Sequence, residues 1–217
     1  ELPETMLEFA KSLTLDEKFD AWVVDEAQDL KPIHWKIIRA SLKDPENGIM
    51  HLFGDRDQDI FGGVRTLPKL YAKCTLKKNL RNPRKIAQLL DELSERESIH
   101  AGIDDGYVPQ FVEVPESADI TEYSRQYMRH LIEEVGWKPS DIMLVNTHYR
   151  PEEQKKLQQR SIDTYWDAFF RKNQVFYTHY SAIKGLERPM VVVVVDGWSS
   201  RDHVSPKNKM LVAMSRA

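Results

Sequence analysis

The sequence predicts an α/β fold built on a mostly parallel sheet. Short apolar runs alternate with amphipathic stretches along the whole chain, the pattern of strands separated by helices. Val191 to Val195 are five consecutive valines, a run that suits a strand covered on both faces, as in parallel sheets. Apolar residues make up 41% of the chain, enough for a core and too many for a disordered polymer.

Each element follows from local signals. Residues 21–24 (Ala-Trp-Val-Val) read as a buried strand ending at Asp25. Residues 32–42 read as a helix with Pro32 in its first turn, where a missing N–H is tolerated. A second strand covers 49–53 and is stopped by Gly54-Asp55; a third is expected over 71–76. Asn82-Pro83 reads as the cap and first turn of a helix ending near Ser94. Residues 99–107 are turn-rich, and 108–114 are expected to form a strand. Asp119 and Glu122 are spaced as a capping box with Asp replacing Ser or Thr. The helix they open carries Ile120, Tyr123, Tyr127, Leu131 and Val135 on its apolar face. Strands at 142–145, 175–178 and 191–195 and helices at 151–160 and 162–172 complete the series.

The 217 residues hold 31 Lys+Arg against 34 Asp+Glu, a formal charge of −3, and allow one or two domains. The single cysteine, Cys74, excludes an intramolecular disulfide and a multi-cysteine zinc site and suits a reducing, cytoplasmic setting. The longest apolar run, Met190 to Val195, is far below the ~20 residues of a membrane span, so no membrane partner is expected. Mild acidity gives no global attraction for nucleic acid. The pairs Lys77-Lys78, Arg84-Lys85, Lys155-Lys156 and Arg171-Lys172 read as solvated element ends. Residue 1 is Glu and the last seven residues are apolar and motif-like, which reads as a piece of a longer protein.

Five strings carry chemistry. In the first, an apolar strand delivers Asp25-Glu26-Ala27-Gln28-Asp29 at its carboxyl end, the edge where open α/β sheets bind ligands. One carboxylate there can hold Mg²⁺ and the next can orient or deprotonate water. A bare Asp-Glu would more often be a strand followed by an acidic helix cap; the whole string after four apolar residues reverses that preference. The second string, Gly54-Asp55-Arg56-Asp57-Gln58-Asp59-Ile60-Phe61, places an amide where it can sense a phosphate. Its alternating aspartates resemble calcium-loop ligands, but Ile60 and Thr66 occupy the places that such a loop gives to Gly and Glu. In the third, Leu76 to Asn82, Arg81 precedes a helix start, and guanidinium forks and helix N-termini both favour phosphate. The fourth, Lys184-Gly185-Leu186-Glu187, lies just before the valine strand. The fifth, Val212-Ala213-Met214-Ser215-Arg216-Ala217, closes the chain.

In this order the strings resemble motifs II, III, IV, V and VI of UvrD/Rep-like superfamily 1 DNA helicases. The resemblance implies RecA-like (P-loop NTPase) parallel sheets flanked by helices. Residues 1–82 would be the C-terminal part of a first motor domain, and 83–217 a nearly complete second one without a large inserted domain. It implies ATP and Mg²⁺ as cofactors and single-stranded or partially duplex DNA as partner. Asp25 would bind the metal and Glu26 would activate water. Gln58, in the turn of Gly54 and Asp55, would couple the γ-phosphate to the DNA site. Arg81 and Arg216 would act as arginine fingers. Leu80 would offer the adenine apolar contact, Glu187 would meet the ribose, and Lys184 and Gly185 would shape the interdomain cleft.

The departures from that pattern shape the expected function. None of the nine glycines is followed by lysine, so a Walker A loop is expected upstream in the same polypeptide, and the 217 residues alone are expected to be inactive. The aromatic that follows motif III falls near Gly63, with Phe61 as a substitute for base stacking. The Tyr usual before the motif IV arginine is Leu80. The usual Thr and His of motif V are His179 and Ser181, and His179 reads as a local hydrogen-bonding group. Competing readings are a non-catalytic, degenerate helicase-like module and a metal-dependent nuclease using Asp25, Glu26, Asp55 and Asp57.

Overall fold

The computed structural model describes residues 2–69, 72–95, 99–100, 106–171, 173–197, 199 and 203–217. It divides into two compact units, residues 1–75 and 76–217.

In the first unit, helix α1 (Leu2–Ser12) precedes strand β1 (Ala21–Val24), helix α2 (Pro32–Ala40) and strand β2 (Ile49–Leu52). β1 and β2 are parallel, with Ala21 opposite Ile49 and Val24 opposite Leu52. α2 begins where the sequence places it, at a proline in the first turn, and buries Trp35 and Ile38. These two pack with Val24 and Ala27 into a small core closed by Trp22, Leu30, Met50, Leu52 and Leu67. Trp22 donates its indole N–H to Ser41 Oγ at 3.0 Å, which fixes the end of α2 beside β1. α1, unforeseen in the sequence, packs on α2.

The second unit adds strand β3 (Lys78–Asn79), helix α3 (Arg84–Ser94), strand β4 (Ile99–His100), helix α4 (Ile120–Glu133) and strand β5 (Ile142–Asn146). Helices α5 (Glu152–Arg160) and α6 (Ile162–Phe170), strands β6 (Phe176–His179) and β7 (Met190–Val194), and helix α7 (Pro206–Met214) follow. β5 lies between β6 and β7, parallel to both. All five residues of β5 are buried, and Ile142 and Leu144 pack with Val194 of β7 and with Met128 and Leu131 of α4. Asp119 caps α4 by accepting from the Thr121 and Glu122 amides at 2.8 and 3.2 Å, the N-cap half of the capping box that its spacing predicts.

Five expectations are corrected. Tyr71 lies outside the described residues, and residues 72–77 form no strand; the pairing there is β3 with β4. Of the turn-rich stretch 99–107, residues 101–105 lie outside the described residues, and 99–100 are β4. Residues 108–114 carry β-forming side chains but no ladder. Pro109 interrupts the stretch and lacks a donor, and Val108 and Phe111 stand in solvent at 64% and 78% exposure. The valine strand is not the one covered on both faces: β7 is half-buried except at Val194, and β5 takes the central place. On α4 the buried residues are Met128 and Leu131, whereas Val135 lies beyond the helix and is exposed. No helix among the described residues is long and apolar enough to cross a membrane.

Candidate functional site

In the first unit the parallel pairing brings the carboxyl ends of β1 and β2 side by side. The Phe53 amide donates to the Val24 carbonyl and the Ala27 amide to the Phe53 carbonyl, both at 2.8 Å. Asp25-Glu26 and Gly54-Asp55 therefore leave the sheet as neighbours. Asp25 is exposed and accepts from the Glu26 amide at 2.8 Å. Glu26 adopts the left-handed conformation, φ 48° and ψ 41°, which costs a side-chain-bearing residue about 1–2 kcal/mol. That turn ends the strand abruptly and starts the short 3₁₀ turn Ala27–Asp29.

Gln28, 1% exposed, holds the two acidic turns together. Its Nε2 donates to Glu26 Oε2, and its Oε1 accepts from the Asp55 amide at 3.0 Å. Gly54 makes room for this amide, because a Cβ there would lie 2.6 Å from Gln28 Oε1. Asp55 Oδ2 accepts from Gln58 Nε2 at 3.2 Å, and its Oδ1 from the Asp57 amide at 3.1 Å. Asp59 Oδ1 collects the amides of Phe61, Gly62 and Gly63. The Asp55 and Asp59 carboxylates thus fold their own turns. No cluster of three or more His, Cys, Asp or Glu suited to a metal occurs among the described residues. Gly63 is pressed against the backbone, with Gln28 O 2.2 Å from where a Cβ would stand. An aromatic has no place there, and Phe61 is half exposed nearby in sequence.

In the second unit, Arg81 Nε lies 3.6 Å from Glu187 Oε2, both side chains largely exposed. Asn79 Oδ1 accepts from the Arg81 and Asn82 amides, each at 3.1 Å, shaping the turn that presents Arg81. Asn82 is not the cap of α3; Pro83 stands there. Buried at 5% exposure, Asn82 turns its Nδ2 to the Ser215 and Ala217 carbonyls. The Arg216 carbonyl between them accepts from the Arg188 amide at 3.0 Å. Three distant strings therefore meet: residues 79–82, 187–188 and 215–217. Arg216 itself is 1% exposed and donates to Val212 O at 3.0 Å and Ser215 Oγ at 2.9 Å. Leu80 is 66% exposed, Lys184 half-buried, and Gly185 occupies the left-handed region at φ 77° with open space around it.

His179 Nδ1 accepts from the Ser181 amide at 3.4 Å and lies 2.8 Å from Ser181 Oγ, the local role expected of it. Burial, helped by the Arg150 charge, lowers its pKa to about 4. Sequence reasoning missed Asp196, whose carboxylate gathers the amides of Thr147, His148 and Tyr149 and the Asn146 side chain at 2.8–3.1 Å. Its only sequence signal is its place at the end of the valine run. Lys209, 2% exposed, sits 5.2 Å above the Tyr180 ring and also went unread.

Residues 8–77 match the family model of the UvrD/REP helicase N-terminal domain. This helicase match covers β1, β2 and both acidic turns, and it supports a UvrD-like helicase family. Arg81, Lys184, Glu187 and Arg216 lie beyond the matched stretch. A comparison with curated proteins gave no match.

Proposed function

We propose that the chain is part of an ATP-dependent DNA helicase or translocase that couples ATP hydrolysis to movement on single-stranded DNA, 3′ to 5′. The observation that carries this reading is the joining of Asp25-Glu26 to the Gly54–Gln58 turn at one sheet edge, inside the helicase match. Asp25 fits Mg²⁺, since it is an exposed, hard oxygen donor at the carboxyl end of a strand. When bound, the metal neutralises charge on the phosphate oxygens.

Glu26 orients the attacking water and accepts its proton, and Gln58 senses the terminal phosphate. Arg81 and Arg216 supply positive charge to the transition state. Leu80, Glu187, Lys184, Gly185, Gly54 and Asp55 line or shape the nucleotide site. Without a glycine-rich loop ending in Lys-Ser/Thr, these 217 residues alone bind Mg·ATP weakly and do not unwind DNA; an upstream segment of the same polypeptide supplies the loop.

The experiment is DNA-stimulated ATP hydrolysis by the longer protein. Glu26→Gln lowers kcat about 10²–10⁴-fold, the usual span for a lost general base, with KM for ATP little changed. Wild-type turnover in that variant overturns the role of Glu26. Micromolar Mg·ATP affinity of the 217-residue chain by calorimetry overturns its expected inactivity. The burial of Arg216 favours one alternative, a degenerate module that binds DNA or protein without hydrolysis. In that case no DNA-stimulated ATPase is found and Glu26→Gln changes nothing.

A further inference from the structure

We infer that Gln28 is a positioning residue that locks the water-activating carboxylate to the phosphate-sensing turn, so that both respond as one unit. This rests on the function proposed above. Four residues form a continuous chain of hydrogen bonds within the first unit, the link at Asp55 passing through its backbone amide. Glu26 accepts from Gln28 Nε2, and Gln28 Oε1 accepts from the Asp55 amide at 3.0 Å. Asp55 Oδ2 then accepts from Gln58 Nε2 at 3.2 Å.

The two ends of an amide are chemically unlike, one a donor and the other an acceptor. Gln28 therefore meets a carboxylate on one side and a backbone N–H on the other, and no charged residue of similar size does both. It is 1% exposed, so water does not replace either bond cheaply. The surroundings are built for it: Gly54 leaves the space that a Cβ would close to 2.6 Å from Gln28 Oε1. Gly63 lets the chain pass 2.2 Å from the Gln28 carbonyl, measured at the position of an absent Cβ. Glu26 is held in the left-handed conformation, and its carboxylate takes the Gln28 amide as partner. A shift of the Gln58 turn is thereby passed to the Glu26 carboxylate through one side chain.

Two substitutions separate the arms of this linkage. Gln28→Ala removes both bonds. Gln28→Glu keeps an oxygen for the Asp55 amide but sets a second carboxylate against Glu26. In the 217-residue chain, amide exchange followed by NMR is expected to quicken about tenfold or more at Asp55 in Gln28→Ala, and to stay near wild type in Gln28→Glu. In the longer protein both variants are expected to lose about tenfold or more in kcat for ATP hydrolysis, with KM within about twofold. Should Gln28→Ala fail to fold, Gln28→Glu carries the test by itself. Wild-type kcat in either folded variant, or unchanged Asp55 exchange in folded Gln28→Ala, overturns the inference. A wild-type protein without any ATPase instead overturns the proposed function, and the exchange rates then decide whether Gln28 joins the two turns.

Discussion

A Cβ on Gly63 would lie 2.2 Å from the Gln28 carbonyl oxygen and 2.7 Å from that of Leu30. Both are backbone atoms that cannot rotate aside, so Gly63→Ala must push the turn off the sheet edge. A loss of about 1–3 kcal/mol is expected, read as a lower urea midpoint. The cost falls in the first unit, whose core is small, so the effect should be visible in its own transition. Asn82→Ala is expected to cost about 1–3 kcal/mol in the second unit, since it strips partners from the Ser215 and Ala217 carbonyls. Asn82→Asp, which keeps the shape but puts a carboxylate oxygen in place of the donor Nδ2, should not rescue it. Neither Gln28 nor Asn82 was legible as a structural tie. Charged pairs and apolar stripes leave periodic traces in a sequence, whereas a neutral amide bridging residues far apart in the chain leaves none.

At the scale of elements, the turn after β6 is pH-sensitive. His179 has a pKa of about 4 when folded, below the ~6.5 of an unconstrained histidine. The unfolded chain therefore binds the extra proton first, and the stabilisation present above pH 6.5 is lost as pH falls from there toward 4. Denaturation midpoints of the wild type are expected to drop across that window more steeply than those of His179→Asn. Strand burial gives a second contrast. Leu144→Ala in β5 is expected to cost about 2–5 kcal/mol, and Val192→Ala in half-buried β7 clearly less, both by urea unfolding. Most strands and helices were readable because each runs from an apolar block to a turn or capping residue, as Asp119 and Pro32 show. What local signals could not supply was lateral order. Which strand is central depends on neighbours, so the five valines pointed to β7 while the shorter apolar run at 142–145 is the one enclosed. The stretch 108–114 had the composition of a strand but pairs with none among the described residues, and Pro109 within it lacks a donor.

The whole molecule divides between Thr75 and Leu76, with Ala72–Lys78 exposed throughout. Brief trypsin treatment is expected to cut at Lys73, Lys77 or Lys78 before other sites and to leave two resistant fragments, identified by mass. The smaller fragment would then carry Asp25, Glu26 and Gln58, and the larger Arg81 and Arg216. The order of the strings was visible in the sequence; the resemblance set a boundary at 82/83, whereas the compact units divide at 75/76. The two-stranded ribbon of β1 and β2 has a practical consequence. Among the described residues neither strand has another neighbour, and Val23, Ile49 and Phe53 stand at 67%, 58% and 53% exposure. Open flanks with greasy side chains are templates for like molecules to add to. Concentrated preparations of the 217 residues should therefore turn cloudy on storage, and a Lys in place of Val23 should keep them clear.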